Sequence, residues 1–158
     1  MAWRNDQVTL SMFFHHDPKT WESFWPEYRD GYFSRPEYPA PVFALKEGRR
    51  IGFLRFEQVE HPQRSGGRTV GVSINIAPES RGQGLGTAVL KAALGYLAMQ
   101  GFDTVCAEVR EENIASRKAF AAAGFQDLGA FRKVVADTGE ECTVIRFVAA
   151  IGQGATER

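Results

Sequence analysis

The sequence has no apolar run approaching the ~18 residues that a membrane-spanning helix needs. Its first residues, Met1-Ala2-Trp3-Arg4-Asn5-Asp6, place no apolar core behind a basic start. Both absences argue against a membrane partner or a secretory leader and point to a cytoplasmic chain. Net charge is also lacking, since 19 basic residues balance 19 acidic ones. No basic field is available to hold a nucleic-acid backbone, and no charge block reads as a tail. Cysteine is scarce: Cys106 and Cys142 both lie in strand-like runs. They could pair, but two cysteines in a chain of this size more often sit reduced in a core. Metal-ligand spacing is missing, because His15-His16 is an adjacent pair, His61 is isolated and no Cys-x-x-Cys occurs. There is no internal repeat and no low-complexity tract. At 158 residues the simplest division is one domain over residues 1–150, with 151–158 as a disordered tail.

What the sequence does have is glycine in one telling place. Arg81-Gly82-Gln83-Gly84-Leu85-Gly86-Thr87 follows an alternating apolar run, Val70 to Ile76, and precedes a helical pattern at Val89, Leu90, Ala93, Leu94 and Leu97. Strand, glycine-rich turn and helix leave backbone N–H groups free of side chains at a positive helix end, which suits phosphate oxygens. The spacing is neither a Walker A loop, which needs Lys-Ser/Thr after its last glycine, nor the G-x-G-x-x-G of dinucleotide folds. A tight turn with no ligand is the plain alternative.

Along the chain, residues 5–33 read as two helices. Asn5 or Asp6 can cap the first, although Val8, Leu10, Met12 and Phe14 also alternate as a strand would. Asp17-Pro18 reads as the start of the second. Trp21, Phe24, Trp25 and Tyr28 give it one aromatic face, expected to be core, with a substrate-pocket wall as the alternative. Strands are expected at 42–46, 50–60 and 69–76, joined by the Glu47-Gly48 turn and the 61–68 loop. A helix follows over 82–100, then a strand at 104–109 and a helix over 113–123. Strands at 125–136 and 142–149, with a turn at 137–140, complete the pattern. A doubly wound dinucleotide fold with Glu108 as its ribose acid is disfavoured, because a meander precedes the glycine loop.

A second motif runs from Val109 through Asn113, Ser116 and Phe120 to Ala123-Gly124-Phe125. With Arg81-x-x-Gly84-x-Gly86, it resembles the paired signatures of the GNAT superfamily of N-acetyltransferases. The resemblance implies an α/β (α+β) fold: a strongly twisted mixed sheet of about six to seven strands, flanked by about four helices. Its fourth and fifth strands, matching 69–76 and 104–109 here, splay apart. It also implies acetyl-CoA as cosubstrate, no metal, and a small-molecule amine as acceptor. Arg81, Gly82, Gln83, Gly84, Leu85, Gly86 and Thr87 would hold the pyrophosphate. Asn113, Ser116 and Phe120 would border the pantetheine arm, and the backbone of Ile74, Asn75 and Ile76 would pair with it and supply the oxyanion donor. Asn113 can equally be a simple helix cap.

The chain departs from the family in two ways. Phe120 stands where many members carry a Tyr proton donor, so Ser116, a water or the amine would have to serve. No general base is obvious. Glu57 and Glu108 are the candidates, and each can also be a solvated strand residue. These departures leave open a non-catalytic acyl-CoA-binding module, and a protein N-terminal or lysine acetyltransferase. The family's usual first strand is missing or shortened here. Short matches at Trp3-Arg4-Asn5-Asp6, Ile51 to Phe56 and Ser73 to Pro78 are similar to nucleotide-linked amino-sugar N-acetyltransferases of the pseudaminic-acid pathway type. An edge strand and the aromatic helices could each support a homodimer.

Overall fold

The structure is a computed structural model that describes residues 1–63, 66–135 and 138–152. Loop positions 64 and 65, the expected strand end at Ala136, the turn residue Asp137 and the tail from 153 lie outside the described residues. The elements are α1 (Gln7–Met12), α2 (Trp21–Gly31), β1 (Val42–Lys46), β2 (Arg49–Gln58), β3 (Thr69–Ile76), α3 (Leu85–Met99), β4 (Thr104–Arg110), α4 (Ile114–Ala122), β5 (Gln126–Val134) and β6 (Glu141–Ala150). One six-stranded sheet has the order β1-β2-β3-β4-β6-β5. Every neighbouring pair is antiparallel except β3 and β4. Among the described residues no strand precedes Val42, so β1 is one edge of the sheet and β5 the other. A bulge between Ala44 and Leu45 interrupts its pairing with β2.

Period-two alternation sorts the strands into two faces. One face packs on α3 and α4: Leu54, Val70, Val72, Val105, Ala107, Val109 and Phe147 join Leu90, Leu97 and Phe120 in the main core. Ile74 and Ile76 are half-buried against the same core, as the strand pattern predicts. The opposite face carries a smaller core of Val135, Cys142 and Val144, covered by Phe14 and Phe131. The cysteines are buried and unpaired.

The front of the chain differs from expectation. Helix α1 is a helix, and its cap is Asp6, whose side chain accepts from the Thr9 N–H. Helix α2 does not begin at Asp17-Pro18. Its cap is Thr20, in a reciprocal capping box with Ser23. The cause lies upstream: the Asn5 amide donates to Lys19 O at 2.8 Å and accepts from Lys19 N at 3.0 Å. That grip keeps the chain out of the helix until Thr20. The aromatic face of α2 is not core either, since no residue of α2 is buried and Trp21 is 53% exposed. Its rings pack on one another instead, Trp21 on Trp25 at 5.2 Å and Tyr28 on Phe33 at 5.2 Å.

Phe120 is 2% exposed and sits edge-on to Phe125 at 4.9 Å and stacked on Phe147 at 5.6 Å. Truncation would leave a cavity where α4 meets the sheet. Phe120→Ala is expected to lower unfolding free energy by about 3–5 kcal/mol in a urea titration. A loss below about 1 kcal/mol would show that the ring is not part of the core.

Candidate functional site

The site begins where the sheet stops pairing. Strands β3 and β4 are parallel and matched only over Thr69–Gly71 against Thr104–Cys106. Beyond that point β3 stays paired to β2 as far as Ile76, and β4 to β6 as far as Arg110. The Ala77 N–H reaches Ile51 O at 2.9 Å. Because strand groups alternate in direction, the N–H and C=O of Ile74, and the N–H of Ile76, then point away from β2 into the gap. Buried backbone groups need partners, so this gap is a place for an extended, amide-bearing ligand.

The glycine loop lies at the open end of the gap. Gly82 and Gly84 both have φ of +71°, a left-handed backbone that glycine adopts without strain. These two residues delay α3 to Leu85, later than the pattern at Gly82 suggests. Gly84 caps α3 with no side-chain hydrogen bond. The first N–H groups of a 15-residue helix are therefore left open, at its positive end. Gln83 turns back, its Nε2 donating to Glu79 O at 3.2 Å. Gly86 has a packing role: a Cβ there would lie 3.6 Å from Ala119 Cβ and 3.8 Å from Ile76 Cγ1. α4 thus comes close to the loop. Asn113 caps it, its Oδ1 accepting from Ser116 N at 3.2 Å. Ser116 is half-buried in the first turn of α4.

Arg81, at the head of the loop, is engaged by partners within the chain. Its Nη1 pairs with Asp6 Oδ2 at 2.7 Å, its Nη2 donates to Thr9 Oγ1 at 2.7 Å, and its Nε donates to Ile76 O at 3.1 Å. Asn75 does lie on the face opposite the main core, and its amide ties down the front of the chain, donating to Trp3 O at 3.1 Å. Sequence reading gave Thr9 no part here, and spacing offers no signal for a contact across 72 residues.

The two candidate bases have different surroundings. Glu108 is in a triad, its carboxylate accepting from Lys133 Nζ at 2.6 Å and Arg146 Nη2 at 3.1 Å. Burial raises its carboxyl, but the hydrogen bonds from Lys133 and Arg146 outweigh that and hold it below the ordinary glutamate value. Such a group is a weak proton acceptor. Glu57 is exposed and lies across β3, where a Cβ on Gly71 would come 2.8 Å from its Cγ. It flanks a cleft of about 320 Å³ between α2 and β2, lined also by Glu27, Tyr32, Arg35, Tyr38 and Arg55. A larger cleft of about 540 Å³ involves His61, Arg68 and Phe102, which lie at the far end of the sheet from the loop. One buried cation was not foreseen: Arg110 is 2% exposed, bonded to Glu112 at 3.1 Å and lying 2.6 Å from His16 Nε2. Its signal is the alternation of Cys106, Glu108 and Arg110 with Val105, Ala107 and Val109. Among the described residues no cluster could hold a metal ion, and no helix is long and apolar enough to cross a membrane.

A parallel pair that parts beside a helix start with only a glycine cap makes room for an extended coenzyme bearing amides and phosphate. The sequence model of the acetyltransferase (GNAT) family matches residues 6–125, and the chain belongs to that family. It is 40% identical over 52 residues to the mycothiol acetyltransferase of Stackebrandtia nassauensis, a match spanning 33% of this chain and only 17% of that protein. The structure is similar to that of spermidine N-acetyltransferase from Vibrio cholerae in complex with CoA and spermine. That likeness has a TM-score of 0.74 and 17% identity, and covers 95% of this chain and 86% of that one. It is also similar to a ribosomal-protein-alanine N-acetyltransferase from Brucella melitensis, with a TM-score of 0.69, 20% identity, and coverage of 94% and 90%.

The Glu108 triad has a pH signature. With the folded carboxyl below its ordinary value, its contribution is complete above the unfolded pKa of about 4.3 and is lost as pH falls through the folded value. Glu108→Gln is expected to lower stability by about 1 kcal/mol near neutrality. Urea titrations at ~pH 7 and ~pH 3 should show that gap narrowing in acid. An unchanged gap would remove the triad from the account.

Proposed function

We propose that the chain is an acetyl-CoA-dependent N-acetyltransferase acting on a primary amine of a small acceptor. The observation that carries this reading is the β3–β4 gap, opening beside the start of α3, whose glycine cap offers no side chain. Bound acetyl-CoA would supply an acetyl thioester, from which the amine takes the acetyl group and releases the thiol. The N–H groups of residues 82–87 would receive the pyrophosphate. The gap-facing groups of Ile74 and Ile76 would pair with the pantetheine amides, and one of their N–H groups would face the oxygen that gains charge.

Glu57 is the better candidate to accept the amine proton, because Glu108 has both oxygens engaged. Ser116, directly or through water, would return a proton to the departing sulfur. An unperturbed thiol pKa near about 8.5 makes that demand light, so phenylalanine at position 120 need not stop turnover. The cleft with Glu57, Arg35 and Arg55 offers both charges to an acceptor, which supports an amine that also carries anionic groups, such as a nucleotide-linked amino sugar. A non-catalytic acyl-CoA-binding module is the second reading, favoured by the burial of Phe120.

The deciding experiment is thiol release from acetyl-CoA against a nucleotide-linked 4-amino sugar, a free amino sugar, a polyamine and a peptide. Release with a small amine supports the enzyme. Release with the peptide alone makes the chain a protein acetyltransferase. Silence with all four, while CoA still raises the melting temperature, supports the binding module. Two variants test the parts. A Cβ at Gly84 meets no atom within 4 Å, but the φ of +71° strains any side chain there, so Gly84→Asp adds both backbone strain and a negative charge to the loop. It should raise the KM for acetyl-CoA roughly tenfold, or ~1.4 kcal/mol, and an unchanged KM removes the phosphate assignment. Glu57→Gln should lower kcat at least about tenfold with the KM for acetyl-CoA unchanged. Full activity would strike Glu57 from the mechanism.

A further inference from the structure

Arg81 is the last residue before the glycine loop, and its guanidinium does not point into open space. It meets three acceptors from two parts of the chain: Asp6 and Thr9, the cap and the buried residue of α1, and the carbonyl of Ile76, at the end of β3. Thr9 is 4% exposed and is the buried residue of α1. Its hydroxyl oxygen accepts from Arg81. Its single proton has Asp6 Oδ2 at 3.3 Å and Asn75 Oδ1 at 3.4 Å to choose between. Asn75 in turn donates to Trp3 O. A planar guanidinium with fixed donor directions is well suited to hold α1, β3 and its own loop in one geometry. A loop with two left-handed glycines is, by contrast, costly to order.

We propose that Asp6, Thr9 and Asn75 are positioning residues for the cofactor loop, acting through Arg81. The clamp holds the entry to residues 82–87 so that their N–H groups are set before the cofactor arrives, which removes an ordering cost from binding. Through Thr9 it also links α1 to Asn75 of β3, a residue on the same sheet face as Glu57. The front of the chain therefore serves the cofactor site without touching the cofactor. This inference rests on the reading of residues 82–87 as the pyrophosphate loop.

A rival geometry makes the opposite prediction. If Arg81 instead swung out to a phosphate on binding, Asp6 and Thr9 would be its competitors, and removing them would tighten binding. The experiment is CoA titration by calorimetry on the full chain, with the KM and kcat of the wild type and variants measured on its accepted amine. Thr9→Val removes the hydroxyl and leaves an Arg81 donor short of a partner. The expected result is a CoA dissociation constant and KM raised about fivefold, with kcat within about twofold of wild type. Thr9→Ser, which keeps the hydroxyl, should restore binding to within about twofold. A purely structural defect would follow the hydroxyl too, but it would not separate KM from kcat. Asp6→Asn keeps a good cap for α1 while removing the charge. It should also weaken CoA binding, and it remains decisive if Thr9→Val does not fold. Unchanged or tighter CoA binding in Asp6→Asn overturns the clamp. Failure of the wild type to bind CoA at all overturns the reading of the loop itself, and the clamp's function with it.

Discussion

The site depends on a ladder that is cut short. β3 and β4 share hydrogen bonds only over their first residues, yet each is fully paired on its far side. The gap is thus the seam between two well-made half-sheets, and nothing needs to unzip to open it. The seam would be expensive if its backbone groups were buried dry, so it persists as a place where water or a ligand's amides complete the pairing. Helices α3 and α4 pack across the seam from one side. Gly86 and Ala119 are small enough for the two helices to close up directly behind the loop.

The same strands divide chemistry by face. In β4 the residues facing α3 and α4 are Val105, Ala107 and Val109, and the residues facing the other way are Cys106, Glu108 and Arg110. The main apolar core fills one layer, while the other combines a smaller apolar cluster with charged and polar partners (Lys133 and Arg146 with Glu108, Glu112 and His16 with Arg110). A rigid apolar layer can position a loop and a seam. A charged layer can select what approaches them. Separating the tasks means that a change in acceptor preference need not disturb the core.

Much of this architecture was legible because the signals were local. Alternation in Val70–Ile76 sorted its own faces, and paired glycines around Gln83 marked a backbone that side chains would strain. Motif order then placed α4 against the loop. What stayed hidden depended on contacts distant in sequence. The start of α2 is set by Asn5 gripping Lys19, not by the Asp17-Pro18 pair. The aromatic stripe of α2 has the spacing of a buried face, but its rings satisfy one another at the surface. Arg81 leads the motif in sequence, and only the fold brings Asp6 and Thr9 to it. Glu57 and Glu108 are equal as letters. Their partners, and the space above Gly71, separate them.

The outermost strand has a bearing on how the protein behaves in company. An open sheet border with Phe43 and Leu45 partly in solvent is the kind of template on which another chain could add a strand. Here the bulge at Ala44/Leu45 breaks the rhythm of free backbone groups, Lys46 and Arg49 put charge beside it, and Arg50 lies over the Phe43 ring at 4.4 Å. A would-be neighbour finds an interrupted register and a guarded ring, so this edge of the open sheet is a poor template for strand addition.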